Sequence, residues 1–480
     1  MREREPRAPK SPVHLGKRND LYRLDFFVFF AVVSLVYWDI PSNDWRKIWL
    51  LAASCVFYAA WDWRFLGLVL LVIANTYVAT RALARKTAER HRRTILAVGI
   101  VVSLSVLGFF KYFNFFADTI GSLFGVQRRI IDILLPVGIS FYTFHSLSYM
   151  IDTYRRKIVP TRDFVDVALY ILFFPQLVAG PIVRATDLLP QMRELRSLGG
   201  LDARHYLLMF LVGYFKKAVI SDNIVRFVDP FFSHPAQYGG GDALLAVLSY
   251  TTQIYCDFSG YTDMAIAVAG LLGYQLKPNF AHPYLAANLI DFWRRWHISL
   301  SFWLRDYLYF PLGGNRGGPW MQTRNIAITM LLGGLWHGAA WTFVAWGALH
   351  GVGLIVCHAW RNWRNPTHRE PIGYSLGANL VTFSWVAFAW IFFRATSFAD
   401  ASSVIRCFSD LKLPTLAPWQ LALPVAGVLA AMHVVFYRLD LKAIAARGPD
   451  SVFALSYGAA VAVILPFINV KVEPFIYFQF

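Results

Sequence analysis

The chain has 480 residues, of which 57% are hydrophobic and only 16% carry charge. Because soluble globular domains average about 25% charged residues, this composition excludes an ordinary water-soluble domain. The formal net charge of +17 would suit a nucleic-acid partner. However, the Lys and Arg residues lie in short clusters between apolar runs, as they do in the loops of membrane proteins, so we exclude nucleic acid.

The predicted helices fill almost the whole chain after a basic N-terminal tail at residues 1–23. A helix needs about 20 residues to cross a bilayer, so the shorter apolar runs are expected to be only partly embedded. The sequence predicts an all-α polytopic membrane protein, with one integral membrane domain at 24–472 and an aromatic tail at 473–480. The predicted helices are 24–40, 46–61, 64–80, 94–116, 132–154, 164–179, 204–222, 243–271, 290–308, 324–340, 342–361, 376–394, 419–437 and 452–468.

The N-terminal tail is not expected to be a cleavable signal peptide, because the first apolar run has no small-residue cleavage site. The orientation in the membrane stays open. The basic tail and the basic cluster at 81–93 both favour the cytoplasm, yet three predicted segments separate them. The four cysteines are scattered singly, so neither a disulfide framework nor a metal site is expected.

The predicted helix 290–308 differs from the others in composition. It combines three tryptophans with Arg294, Arg295 and Arg305, which suits the headgroup boundary better than the hydrocarbon centre. A Gly- and Pro-rich loop at 310–319 follows it, and no helix is expected to continue through that loop.

Sequence motifs of familiar soluble chemistry are absent. The chain has no Gly-x-Ser-x-Gly elbow, no phosphate-binding loop and no His-Glu-x-x-His motif, which argues against a serine hydrolase, a nucleotide-driven pump and a metalloprotease. Acyl transfer stays open, because it needs only a base, an acceptor hydroxyl and a stabilised oxyanion.

The most unusual local feature is His337, which lies with Trp336 inside an apolar segment rich in glycine. Ionisable side chains at membrane depth are costly, so each is a candidate functional residue. A neutral imidazole there could accept a proton from an attacking hydroxyl, and glycines on both sides would let a substrate or a second backbone approach. The structural alternative is a histidine hydrogen-bonded to a neighbouring helix.

A second candidate is His297. Trp293 and Trp296 could bound a pocket around it, and Arg294 or Arg295 could hold an anionic group. The structural alternative is an interfacial histidine within a belt of aromatic residues.

Three further features have simpler structural interpretations. His350 and His358 are expected to be packing or interfacial residues. Asp257 and Asp263 lie in apolar surroundings, where a buried carboxylate needs a partner, and a salt bridge is the expected arrangement. The aromatic C-terminus is either a membrane-interface anchor or a tail that inserts the nucleophilic phenol of Tyr477 into the site.

Several long motifs, in this order along the chain, resemble the membrane-bound O-acyltransferase family, and in particular its alginate O-acetylation branch. The motifs are 136–144 (PVGISFYTF), 174–184 (FPQLVAGPIVR), 257–265 (DFSGYTDMA), 292–316 (FWRRWHISLSFWLRDYLYFPLGGNR), 334–343 (GLWHGAAWTF) and 475–480 (FIYFQF). The basic extension at about residues 1–20 is not typical of that branch.

The resemblance implies a ring of tilted helices around a thinned centre, with a tunnel that reaches the active site. By the same resemblance, His337 matches the catalytic histidine and His297 the second histidine of the bacterial members. Trp293, Arg294, Arg295, Trp296, Trp336 and Asp257 are then supporting residues. Tyr477 matches an aromatic tail of a small helper protein in a D-alanine branch, which makes it a candidate acyl acceptor.

The expected function is transfer of an acetyl group from a cytoplasmic donor across the bacterial inner membrane, for O-acetylation of an exported polysaccharide. Acetyl-CoA is the expected donor, and no permanently bound cofactor or metal is expected. The expected partners are a periplasmic hydrolase-like (SGNH-type) acetyltransferase and the polysaccharide export machinery. Two alternatives stay open: transfer of D-alanine or another acyl group, and a transporter without covalent chemistry. Many transporters are built from internal repeats, and no internal symmetry is recognisable in this sequence, which argues against the transporter.

Overall fold

The computed structural model describes residues 21, 24–85, 88–126, 131, 133–177, 180–364, 372–410, 412, 427, 433, 440–446, 448–468 and 476. The regular structure within these residues is entirely helical, which confirms the predicted class. The α-helices in chain order are α1 Leu24–Asp39, α2 Asn43–Asp62, α3 Leu66–Arg85, α4 Glu89–Leu107, α5 Phe113–Leu123, α6 Ile139–Tyr154, α7 Phe164–Leu172, α8 Phe174–Leu177, α9 Ala185–Met192, α10 Ala203–Tyr214, α11 Asp222–Ser233, α12 Gly240–Leu271, α13 Leu289–Arg295, α14 Ile298–Leu304, α15 Gly318–His337, α16 Trp341–Arg364, α17 Ile372–Arg394, α18 Phe398–Cys407, α19 Leu441–Ala445 and α20 Asp450–Ile464.

Three stretches of π-helix adjoin these helices, at Gly108–Tyr112, Phe215–Ser221 and Arg305–Tyr309. The first joins α4 to α5, so the predicted helix 94–116 is longer than expected and changes geometry near its middle. The predicted helix 419–437 lies outside the described residues, apart from 427 and 433. The expected interruption at 310–319 is confirmed as far as Gly317, after which α15 begins.

Five helical stretches within the described residues are long and apolar enough to cross a membrane. Large apolar side chains on them face outward, among them Val56, Leu71 and Val101, each at least half exposed. Lipid tails are a favourable environment for such side chains. The chain is therefore a multi-pass membrane protein, whose candidate spans are Asn43–Arg85, Glu89–Leu123, Trp341–Arg364, Ser375–Arg394 and Asp450–Phe467.

The centre of the protein is α12, a helix of 32 residues that is buried along nearly its whole length. It contacts α10, α11 and α17. A helix that is buried on all sides needs no amphipathic pattern, and this explains why it was predicted from its apolar character rather than from periodicity.

Helices α15 and α16 form a hairpin whose backbones touch through glycines. A Cβ atom on Gly334 would lie 2.3 Å from the carbonyl oxygen of Phe343, and one on Gly347 would lie 2.3 Å from that of Met330. No side chain fits at either position. The prediction that glycine beside His337 admits a second backbone is thus confirmed at Gly334.

The prediction of one continuous helix at 290–308 is wrong. The chain breaks between α13 and α14, where His297 adopts a left-handed conformation with φ +43°. The loop before α13 docks into this break: Ala281 N–H donates to the Arg295 carbonyl at 2.9 Å, and Ile298 N–H donates to the Asn279 carbonyl at 2.9 Å. These tertiary hydrogen bonds compensate the helical ones that are lost at the break.

Candidate active site

His297 is held at the break between α13 and α14 by the side chain of Asn279. One amide oxygen, Oδ1 of Asn279, lies 3.1 Å from Ser299 N, 2.9 Å from Ser299 Oγ and 3.3 Å from His297 Nδ1. A left-handed conformation is uncommon for a residue other than glycine, and such residues cluster at functional sites. The Asn279 contacts are what hold His297 in it.

These contacts also assign the tautomer of His297. The backbone N–H of Ser299 can only donate, so the atom of Asn279 that faces it is the amide oxygen. His297 Nδ1 must then carry the hydrogen that it shares with this oxygen, which leaves Nε2 as the basic nitrogen of a neutral imidazole. Among the described residues, Nε2 has no hydrogen-bond partner.

His337 is the last residue of α15, and only 4% of it is exposed. Its ring meets the rings of Trp336 and Trp346 edge-to-face, with centroids 4.9 Å apart in both cases. The Trp336 ring also lies 6.0 Å from that of His297. Both predicted catalytic histidines therefore lie against Trp336.

A third buried histidine, His350 on α16, joins this group. Its ring lies 4.7 Å from Trp346 and 5.1 Å from Trp293. It is fully buried, and neither of its ring nitrogens has a hydrogen-bond partner among the described residues.

The other predicted supporting residues divide into two groups. Trp293 and Trp296 face inward, and Trp296 is fully buried with its ring 5.1 Å from that of Trp390. Arg294 is exposed, and Arg295 forms an ion pair with Asp291 at 2.9 Å on the same helix. The inward side of this segment is aromatic, whereas its arginines lie toward the surface.

A polar cleft of about 540 Å³ adjoins the turn after His337. It lies between α5, the start of α16 and the start of α18, and both charged and hydroxyl side chains line it. The polar lining includes Lys111, Asn114, Asp118, Thr119, Thr342 and Ser397. A cleft of this size and polarity can admit a hydroxyl-bearing group close to the end of α15.

Positive charge is concentrated at the other end of the α15–α16 hairpin. There Arg184 donates to Asp306 at 2.5 Å, and Arg305 donates to the same carboxylate at 2.7 Å. Burial alone would raise the pKa of the Asp306 carboxyl, but the hydrogen bonds from Arg305 and Arg184 outweigh it and hold this pKa below its usual range. Further basic residues at this end are Arg155, Arg316, Arg324, Arg361 and Arg364.

Asp257 lies on α12 in a buried ionic cluster. Its carboxylate accepts from the Lys217 ammonium at 2.6 Å and from the backbone N–H of Ile476 at 2.8 Å. The expected salt bridge is confirmed, with a lysine as its partner. The ring of Phe258, the next residue, lies 4.7 Å from that of His297, so this cluster adjoins the histidine site. Tyr477 itself lies outside the described residues.

Comparison with known proteins identifies the family of this chain. The model of the MBOAT, membrane-bound O-acyltransferase family matches residues 55–398, which include His297 and His337. The chain belongs to this family. It is 41% identical over 433 residues to the Azotobacter vinelandii protein named "Probable alginate O-acetylase AlgI", which covers 86% of this chain and 85% of that one.

Two other relatives carry different names. A Helicobacter pylori protein named "Peptidoglycan O-acetyltransferase" is 37% identical over 414 residues, which cover 80% of this chain and 78% of that protein. A Bacillus subtilis protein named "Teichoic acid D-alanyltransferase" is 27% identical over 284 residues, covering 55% and 69% respectively. Membership of the family makes this chain an O-acyltransferase.

The expectation that His350 is a packing or interfacial residue agrees with its full burial among aromatic rings. One residue beside the site of this O-acyltransferase was not predicted. Lys111, whose ammonium reaches the carbonyl of His337 at 3.2 Å, had a usable signal, since it is a lone lysine in an apolar stretch of aromatic residues.

Proposed function

We propose that this O-acyltransferase transfers acetyl groups for the O-acetylation of an exported cell-envelope polysaccharide. The observation that carries the proposal is the position of His337, at the end of α15 between two tryptophans and beside a polar cleft. The names of two relatives above 35% identity, a probable alginate O-acetylase and a peptidoglycan O-acetyltransferase, support the acetyl group and a polysaccharide acceptor.

In the proposed reaction His337 is the general base. It takes the proton of the acceptor hydroxyl as that oxygen attacks the carbonyl carbon of an acetyl thioester. The new C–O bond forms, the C–S bond breaks, and the thiolate leaves with the proton that the imidazolium returns. A positioned base contributes about 10²- to 10⁴-fold to the rate of such a step. His297 lies against Trp336, as His337 does, and its Nε2 orients the donor.

The donor is proposed to be acetyl-CoA, which enters from the cytoplasm. Lys and Arg are enriched on the cytoplasmic side of membrane proteins, and the basic end of the α15–α16 hairpin is the one remote from His337. This end would attract the phosphates of a nucleotide thioester. The cleft at the opposite end then faces away from the cytoplasm, and the membrane is the bacterial inner membrane.

Tyr477 is the proposed acyl acceptor. Its support is the preceding residue, Ile476, whose backbone is hydrogen-bonded to Asp257 one residue before Phe258. Phe258 contacts His297, so Ile476 is anchored to the residue that precedes a neighbour of the histidine site. A periplasmic SGNH-type acetyltransferase would then take the acetyl group from the tyrosyl ester to the sugar, next to the export machinery.

D-alanyl transfer is the second candidate. It is supported by similarity to the teichoic acid D-alanyltransferase over about half of this chain. The lower identity of that relative, 27% against 41%, favours acetyl transfer.

The deciding experiment measures ester-bound acetate on the secreted polysaccharide of cells with the native gene, a deletion or His337→Ala. We expect loss of acetate in both mutants while polymer export and protein level persist. The control is His91→Ala on α4, an exposed histidine outside the site, which should leave acetate unchanged. Acetate retained in a well-expressed His337→Ala strain would refute the base assignment, and bound D-alanine in its place would favour the second candidate.

A separate variant tests the acceptor. Tyr477→Phe removes only the phenolic oxygen, and we expect it to abolish bound acetate at a normal protein level. Full acetylation by Tyr477→Phe would reject Tyr477 as acceptor and leave His337 as base toward another hydroxyl.

A further inference from the structure

The C-terminal end of α15 has an unusual cap. Helices end with four carbonyls that lack intrahelical partners, and glycine in a left-handed conformation often satisfies them. Here Gly338 follows the helix, but it is extended, with φ −157° and ψ 149°. The last carbonyls of α15 therefore need other donors. These carbonyls belong to the residues that carry the site.

Those donors are two consecutive side chains of one neighbouring helix. The Tyr112 hydroxyl donates to the carbonyl of Leu335 at 3.0 Å. The Lys111 ammonium donates to the carbonyl of Trp336 at 2.5 Å and to that of His337 at 3.2 Å. The carbonyls of the last three residues of α15 thus all accept hydrogen bonds from these two adjacent side chains.

Lys111 and Tyr112 end the π-helical stretch Gly108–Tyr112. A π-helical turn inside an α-helix is rare and is found frequently at functional sites. This one interrupts a helix that otherwise continues from Glu89 to Leu123, and it places both donors against the end of α15.

The charge of Lys111 is directed at the helix end. No carboxylate lies within ion-pair distance of it among the described residues. Its other partners are Ser140 Oγ, at 3.3 Å, and the face of the Trp336 ring, at 5.8 Å from the centroid. A cation at a helix C-terminus interacts favourably with the helix dipole.

We propose that Lys111 is a positioning residue of the acyl transfer. It fixes the last turn of α15, so that the His337 ring stays between Trp336 and Trp346 beside the polar cleft that Lys111 also lines. The inference rests on the proposed role of His337 as base. His337 is the final residue of its helix, so a rotation of the last helical turn would displace the imidazole from the reacting hydroxyl.

The test compares Lys111→Met, which keeps the length of the side chain without donors, with Lys111→Arg, which keeps charge and donors. The full chain in inverted membrane vesicles is given radiolabelled acetyl-CoA, and initial rates of label transfer are measured against acetyl-CoA concentration. We expect Lys111→Met to lower the maximal rate about 10- to 100-fold with little change in KM, because misplacement by about 1 Å costs roughly 10²-fold. Lys111→Arg should recover part of this rate.

The matched control is Lys47→Met. Lys47 is a buried lysine whose ion-pair partners are Asp44, Asp163 and Asp166, on another part of the protein. This variant should lower the melting temperature without changing the rate per folded molecule. A Lys111→Met protein with the native maximal rate, or one whose loss is matched by an equal loss of folded protein, overturns the inference.

The outcome for Lys111 is separable from that for the proposed function. If His337→Ala is inactive and Lys111→Met is fully active, the function stands and the inference fails. If native vesicles transfer no label, the acetyl-CoA assignment fails. The same three lysine variants are then compared by bound acetate in cells, where equal acetate in Lys111→Met and native cells again overturns the inference.

Discussion

Asn279 and His297 are joined by a contact of 3.3 Å between the amide oxygen Oδ1 and the ring nitrogen Nδ1. The two residues lie 18 positions apart, on either side of α13. Because Asn279 also bonds Ser299, a single amide oxygen determines where the helix breaks and which imidazole nitrogen is basic.

Asn279→Ala is expected to lower both activity and stability. The substitution leaves the partly buried Ser299 N–H and the buried His297 ring without their acceptor, at a cost of about 1–3 kcal/mol. We expect a lower melting temperature and at least a tenfold loss of bound acetate per folded molecule. Asn288→Ala is the matched control, because Asn288 caps α13 through the Asp291 N–H at 2.9 Å and touches neither histidine. Full acetylation per folded molecule by Asn279→Ala would contradict the orienting role.

Gly347→Ala is expected to separate α15 from α16. Its Cβ would lie 2.3 Å from the carbonyl oxygen of Met330, so one backbone must move. Overpacking of this kind typically costs about 1–3 kcal/mol, and we expect a lower melting temperature together with reduced acetylation. The control is Gly351→Ala, one turn along the same helix, where the nearest atom would be a Met330 Cβ at 3.4 Å. Equal melting temperatures and equal acetylation in the two variants would show that the close approach of the α15 and α16 backbones is unimportant.

Asp257→Ala is expected to release the C-terminal segment. It removes the acceptor of the Ile476 N–H and leaves Lys217 paired with Asp222, at 2.8 Å. Breaking a buried pair costs about 3–5 kcal/mol. The measurement is the rate of carboxypeptidase trimming, which should rise above that of the native protein.

The control for this variant is Asp263→Ala on the same helix. Asp263 binds Lys216 at 2.6 Å, and its loss should leave the trimming rate unchanged. Native resistance to carboxypeptidase in Asp257→Ala would refute the anchoring of the segment at this carboxylate.

Asp306→Asn is expected to destabilise the protein in a pH-dependent way. The pKa of Asp306 is lowered in the folded protein by Arg305 and Arg184, against the effect of burial. A carboxyl whose pKa is lowered by folding stabilises the folded protein at pH values above its unfolded pKa of about 3.9. This stabilisation is lost as the pH falls through the pKa of the folded protein. The variant should therefore melt below the native protein at pH 7, and the difference should shrink below about pH 4. A difference that is constant with pH would exclude this ionic contribution.

The sequence was sufficient for the class of structure and for most helices, because long apolar runs can only be helical in a bilayer. It was also sufficient for His337 and His297 as candidates, because an ionisable residue among apolar ones is conspicuous. The break at His297 could not be predicted, since the donors and acceptors that stabilise it come from the distant residues Asn279 and Ala281.

Tertiary contacts also explain the other differences. Arg294 and Arg295 stand beside His297 in sequence, but helix geometry turns neighbouring side chains to different faces. Lys111 is more than 220 residues away from His337 in sequence, and only the tertiary contact of the stretch Gly108–Tyr112 with the end of α15 brings the two together. The aromatic group around His350 is assembled from three separate helices in the same way.

Ile476 is bound by Asp257 through its main chain. The contact uses the N–H of Ile476, which every amino acid except proline provides. Residue 476 is thus tethered to its own binding site, and covalent connection gives such a site a high effective concentration of ligand. A free peptide with the sequence of residues 473–480 would have to be supplied at about millimolar concentration to compete with it. A chain truncated before residue 473 would offer the same site to a segment supplied by a second polypeptide.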